Sequence, residues 1–134
     1  MVRVVLDSNI IVSASLTLEG APATIVELAL LGTFTLCLSR PVFDEYREVL
    51  SRPKFSRHAD RIKVLLEGIE ETAEWSKPEE TLDLSPDEAD NRLLECAQAA
   101  DAKFLVTGNS KHFPDRLGEV VVLTPRQFLI EFGF

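Results

Sequence analysis

Four short apolar runs, Val2 to Leu6, Phe34 to Leu38, Phe104 to Thr107 and Val120 to Leu123, most constrain how this chain can fold. The first and last are β-branched, too short for helices, and read as strands buried on both faces, the pattern of a parallel sheet. Helical signals lie between them. After Gly20-Ala21-Pro22, the residues Ile25, Val26, Leu28, Ala29 and Leu30 form an apolar helix stopped at Gly32. Ser39-Arg40-Pro41 starts another, with Val42, Tyr46, Val49 and Leu50 on one side and a stop at Arg52-Pro53. Asp60 to Glu71 continues helical on the stripe Ile62, Leu65, Leu66 and Ile69, and Lys77 to Leu84 is a polar loop or weak edge element. Ser85-Pro86-Asp87-Glu88 is a capping-box pattern for a helix over Ala89 to Ala100, and Thr124-Pro125 caps a last helix ending near Phe132. Asp7-Ser8-Asn9 reads as the turn that ends the first strand. Strands alternating with helices predict an α/β domain with a mainly parallel sheet.

At 134 residues the expectation is one domain over 1–134, and 46% hydrophobic residues supply a core. That content excludes a disordered chain, and 27% charged residues exclude collagen-like sequence. The most apolar stretch, Thr24 to Leu38, is broken by Glu27 and Gly32 and falls short of the ~18–20 residues a membrane span needs. Met1 to Leu6 runs straight into Asp7 without the apolar region of a secretory signal, so the expected location is cytoplasmic. Cys37 and Cys96 lack metal-site spacing and read as reduced core residues. Twenty-two acidic against fourteen basic side chains give a net charge of −8. The basic ones concentrate at Arg40, Arg47, Arg52, Lys54, Arg57, Arg61 and Lys63, a segment able to steer a polyanion or simply a solvated helix face.

Ligands of open parallel sheets bind beyond the carboxyl ends of the strands, which makes Asp7 and Asn109 informative. Asp7 follows the first strand directly, and its alternative role is to cap the next helix. Asp90 lies within about 60° of Leu93, Leu94 and Ala97 on its helix, so its carboxylate heads the core-facing stripe and needs a cation or hydrogen bonds there. Glu45 borders its stripe near Val42 and Val49, whereas Arg47 lies away from that edge; a plain surface role for Glu45 stays open. Three carboxylates brought together repel unless a divalent cation sits among them. Oxygen ligands without a His/Cys set select Mg²⁺ or Mn²⁺ over zinc. Such a site activates water and stabilises the leaving oxygen of a phosphodiester, with one metal or two.

The start Val4-Val5-Leu6-Asp7-Ser8-Asn9-Ile10, the helix Pro41-Val42-Phe43-Asp44-Glu45-Tyr46, the stretch Asp87 to Ala97 and Phe104-Leu105-Val106-Thr107-Gly108-Asn109 together resemble a PIN domain. The resemblance covers essentially the whole chain. Lys111-His112-Phe113-Pro114 and Leu123 to Leu129 are similar to the small prokaryotic PIN proteins of toxin–antitoxin systems, the VapC-like ribonucleases. This resemblance implies a three-layer α/β/α sandwich and a metal-dependent endoribonuclease, usually dimeric, with an acidic pocket for Mg²⁺ or Mn²⁺. It implies that Asp7 and Asp90 hold the metal and Glu45 completes the acidic set, with Ser8, Asn9 and Thr107 as hydrogen-bonding support. It also implies a small antitoxin partner. The chain departs from the family where many members carry a fourth acid: Asn109 stands there, with Asp115 as a substitute if its loop folds back.

Expected contacts to the RNA backbone are Arg47, Arg52, Lys54 and His112. Two other readings compete with the nuclease. One is a catalytically weak or inactive PIN-like module that binds RNA or a protein. The other, a phosphatase or receiver using Asp7 as nucleophile, is disfavoured because Asn9 replaces the Asp general acid of that pattern and no Lys follows a later strand in the expected place.

Overall fold

The computed structural model describes all residues, 1–134. Its centre is a six-stranded sheet of β1 (Arg3–Leu6), β2 (Thr35–Leu38), β3 (Glu74–Trp75), β4 (Phe104–Val106), β5 (Arg116–Leu117) and β6 (Val120–Leu123), in the order β3-β2-β1-β4-β6-β5. Every pairing is parallel except the hairpin of β5 with β6. Helices flank it: α1 (Ser8–Leu16), α2 (Ala21–Leu30), α3 (Arg40–Leu50), α4 (Ala59–Thr72), α5 (Glu88–Ala99) and α6 (Pro125–Glu131). The mainly parallel α/β architecture expected from the sequence is therefore observed. No single helix is long and apolar enough to cross a membrane.

The four apolar runs are strands because helices cover both of their faces. Val4, Val5, Leu6, Leu105 and Val106 are fully buried, and removing such side chains from water is worth about 1.5–3 kcal/mol each. α5 lies on β1, β2 and β4 and packs with α3, while α6 lies on β4 and β6 and packs with α2. Phe128 anchors α6 edge-on against Phe34 and Phe104, with centroids 5.2 and 5.8 Å apart. Gly32 ends α2 as expected: at φ +77 it takes the left-handed turn that lets Thr33 donate back to the Leu28 carbonyl.

Register sets the site. Leu6 lies opposite Val106, and Val106 opposite Leu123, so neighbouring strands end level and the next residues, Asp7 and Thr107, leave the sheet side by side. Asp7 donates its N–H to the Val106 carbonyl at 2.9 Å. Tyr46 on α3 is fully buried and donates its hydroxyl to the Leu6 carbonyl, tying the helix that carries Glu45 to the end of β1.

Two local expectations are corrected, and two short strands carry no sequence signal. The segment after Asp7 is the helix α1 rather than a turn; β-branched residues and serines hide it, and burial of Ile10, Ile11 and Ser15 overrides their low helix propensity. The cap of α5 is Asp87, whose carboxylate accepts from Ala89 N–H, rather than Ser85. Ser85 is already committed, with its backbone held by Asn91 and its hydroxyl accepting from Asp87 N–H. The edge strands β3 and β5 are two residues each, too short to carry a pattern.

Candidate active site

Asp7 is 7% exposed at the C-terminal end of β1. It occupies the N-cap position of α1 without a full capping hydrogen bond from its side chain, although the Ser8 and Asn9 backbone N–H groups favour its ionised form. Thr107 donates to Oδ2 at 2.7 Å, Asn9 donates to the same oxygen at 3.4 Å, and Ser8 donates to Oδ1 at 3.4 Å. Burial pushes the Asp7 pKa up, and the Thr107 bond opposes that rise.

The other two carboxylates arrive on helices that the core positions. Asp90, also buried, lies in the first turn of α5 and accepts from the Ser85 hydroxyl at 3.3 Å. Asn91, fully buried, fixes that loop by accepting from Leu84 and Ser85 N–H and donating to the Ser85 carbonyl. Glu45 on α3 is half-buried. Burial raises both pKa values, with Glu48 and Asp7 adding to the rise at Glu45, and Asp87 and Asp7 adding to it at Asp90. Asp7 and Glu45 line one cavity and Asp90 lines a separate groove, so the structure places two of the three predicted acids together.

Two depressions hold these acids. A cavity of about 50 Å³ is lined by Asp7, Ser8, Glu45, Tyr46 and Arg92 among others. An open groove of about 680 Å³ runs over Ser85, Asp87, Asp90, Lys111 and His112. No group of three or more Asp, Glu, His or Cys side chains is placed to hold a metal ion between them. Asp7 and Glu45 are hard oxygen donors on one cavity, and a hydrated Mg²⁺ or Mn²⁺ needs only one or two carboxylates because it keeps several of its waters.

The remaining predicted residues divide. His112 is exposed but close enough to Asp90 to lower its pKa, and Arg52 does the same for Glu45 while pairing with Glu48 at 3.1 Å. Lys54 sits over the Phe55 ring at 5.2 Å. Arg47 is not brought to the acids; it lines a separate groove between α3 and α4. Arg40 is engaged too, stacked 4.5 Å over Trp75. Asn109 is exposed and contributes through its backbone, donating N–H to Thr107 Oγ1 at 3.0 Å. Asp115 is exposed as well, and its carbonyl accepts from Val122 N–H. Sequence reasoning missed Arg92, Asn91, Tyr46 and Lys111. A signal existed for Tyr46 alone, because a hydroxyl in a buried stripe needs a partner.

A family model described as PIN domain matches residues 3–111. The chain belongs to the PIN-domain family. Among solved structures, this PIN domain is similar to the crystal structure of VapBC2 from Rickettsia felis bound to a DNA fragment from their promoter. The identity is 20%, the TM-score is 0.61, and the match covers 91% of this chain and 98% of that one. At that identity the likeness speaks for the fold. A search of curated proteins gives no significant match.

Proposed function

We propose that this PIN domain is a metal-dependent endoribonuclease that hydrolyses RNA phosphodiester bonds, the toxin of a toxin–antitoxin pair. One observation carries the reading: Asp7, buried at the end of β1, lines one cavity with Glu45, and buried Asp90 lines the groove that carries Lys111 and His112. Carboxylates held against their own repulsion at the mouth of a parallel sheet are what a divalent-cation site requires. Asp7 and Asp90 would hold Mg²⁺ or Mn²⁺ and Glu45 would complete the set. When bound, the ion supplies positive charge against the negative charge that develops at the phosphate. Thr107, Ser8 and Asn9 fix the orientation of the Asp7 carboxylate. Half-exposed Glu45, its pKa raised, is suited to accept the proton of an attacking water. On the rim of the Asp90 groove, Lys111 gives a polyanion a cationic contact and His112 a ring N–H donor.

As a family member with a fold like that of VapBC2, the chain is expected to pair with a small antitoxin, to dimerise with itself and to work in the cytoplasm. A second reading, a PIN module that binds RNA or protein without cutting, is favoured by the neutral, exposed Asn109 and the absence of a closed carboxylate cage. The deciding experiment is cleavage of a mixed single-stranded RNA pool by purified protein, with Mn²⁺, with EDTA and as Asp7→Asn. Cleavage abolished by EDTA and by Asp7→Asn is the expected result. A folded Asp7→Asn variant that cut at the wild-type rate would sink the nuclease assignment, and metal binding without turnover in the parent would select the binding module.

A further inference from the structure

The two oxygens of the Asp90 carboxylate are treated differently. Oδ2 accepts from the hydroxyl of Ser85, a residue only 5% exposed, at 3.3 Å. That hydroxyl is itself directed. It accepts from Asp87 N–H at 3.2 Å, which fills an acceptor position and leaves its one proton for Asp90. Thr107 serves Asp7 in the same way, donating to Oδ2 at 2.7 Å and accepting from Asn109 N–H at 3.0 Å. Ser85 is fixed in turn by the fully buried amide of Asn91, which accepts from Ser85 N–H at 2.9 Å and Leu84 N–H at 3.0 Å and donates to the Ser85 carbonyl at 2.9 Å. Both ends of that amide are spent on one turn, and a satisfied buried network of this kind holds a single arrangement. Asp90 Oδ1, by contrast, accepts no hydrogen bond from the protein and is not sealed from solvent. Asp90 lines the open groove over Asp87, Lys111 and His112, so one of its oxygens is committed to the protein and the other is left for what enters the groove.

We propose that Ser85, held in place by Asn91, is a positioning residue for a divalent cation at Asp90: it pins Oδ2 so that Oδ1 is the oxygen offered to the ion. This deepens the nuclease reading and rests on it. A group that hydrogen-bonds a metal-ligating carboxylate sets its orientation, and removing such a group typically weakens metal binding by about 10–100-fold.

Ser85→Ala tests the assignment, because it removes the hydroxyl and keeps the bonds from Asn91, which reach only the Ser85 backbone. Calorimetric titration of the intact protein with Mn²⁺ should show affinity weaker by about tenfold or more, whereas Ser85→Thr, which keeps a hydroxyl, stays within about threefold of the parent. Glu95→Gln separates positioning from stability. Glu95 holds the same segment further along, accepting from Leu82 N–H at 2.8 Å and pairing with Arg92 at 2.7 Å, and has no bond to Ser85 or Asp90. That variant should melt at a lower temperature and still bind Mn²⁺ within about twofold of the parent. In RNA cleavage, Ser85→Ala should lower kcat and leave KM nearly unchanged. Parent-like Mn²⁺ affinity in Ser85→Ala, or an equal loss in Glu95→Gln, would overturn the proposal and leave the 84–85 turn a structural tie; a parent that takes up no Mn²⁺ overturns it as well. If Ser85→Ala does not fold, Ser85→Cys, near in size and only a weak donor, carries the same comparison. Failure of the nuclease reading is distinguishable: the parent then binds Mn²⁺ and Ser85→Ala loses that affinity, but neither cuts RNA.

Discussion

Replacing Thr107 with valine removes one oxygen from a fully buried position at nearly constant shape. That oxygen has two bonds, a donated one to Asp7 Oδ2 at 2.7 Å and an accepted one from Asn109 N–H at 3.0 Å. Asn109 is exposed, so water replaces the second at little cost. The first is a hydrogen bond to a buried charge, worth about 1.5–3 kcal/mol. With an unfolding entropy of roughly 2.1 cal/mol/K per residue, that loss lowers Tm by about 5–11 °C at neutral pH. The effect depends on pH with a definite sign. The bond favours ionised Asp7 and holds its pKa down against burial, so the valine variant has the higher Asp7 pKa. Its destabilisation is complete at pH values above that pKa and narrows as acid protonates Asp7, leaving only a neutral bond of about 1 kcal/mol to lose. Urea melts of parent and variant at pH 7.5 and pH 4 measure both quantities. A loss below about 0.5 kcal/mol at pH 7.5, or one that does not shrink at pH 4, would refute the assignment of Thr107 as the principal hydrogen-bond donor to Asp7.

Asp7→Asn should raise Tm at pH 7, because burial penalises the ionised form; the gain disappears as pH falls below the unfolded carboxylate value, and a lower Tm at pH 7 would contradict it. Tyr46→Phe orphans the Leu6 carbonyl and should cost about 1–3 kcal/mol in denaturant melts, with wild-type stability counting against the bond. Cys96, pushed up to about 12 by burial, and Cys37, raised for the same reason, should both resist iodoacetamide at pH 8 until urea is added; fast labelling of the folded protein would show that the core opens. Asn109→Asp keeps the backbone bond to Thr107, so stability should change by less than about 0.5 kcal/mol while calorimetry shows tighter Mn²⁺ binding; a large stability loss would place the side chain inside the site.

The central strands were legible because burial on both faces leaves continuous apolar runs, α3 because its stripe and Pro-containing start agree, and α5 because its stripe follows an acidic first turn. α1 was not. Ser8-Asn9-Ile10-Ile11-Val12 favours extended structure by propensity, and only packing against α2 and α3 makes it helical. The acids at positions 7, 45 and 90 could be read from the sequence because each sits where an apolar pattern breaks or meets its edge. Their supports could not: Arg92 and Asn91 are polar residues on a helix whose stripe says nothing of which loop will fold over it. Arg47 shares a basic run with Arg52, yet the two-residue step from Glu45 turns it toward another groove.

Asn109 shows how the site is organised without a fourth acid in that place. A threonine hydroxyl has one proton to give, and the N–H of Asn109 occupies an acceptor position on Thr107 Oγ1, leaving that proton for Asp7. The N–H of Gly108 does the same to Asn9, donating to Oδ1 at 3.2 Å so that Nδ2 is the atom presented to Asp7. Two backbone amides of one turn therefore orient two of the three side-chain donors that reach the Asp7 carboxylate. Both amides are independent of the side chain at position 109. The turn after β4 can consequently exchange an acid for an asparagine and still hold Asp7 in place, so what that exchange alters is the charge offered to a cation rather than the geometry of the carboxylate that receives it.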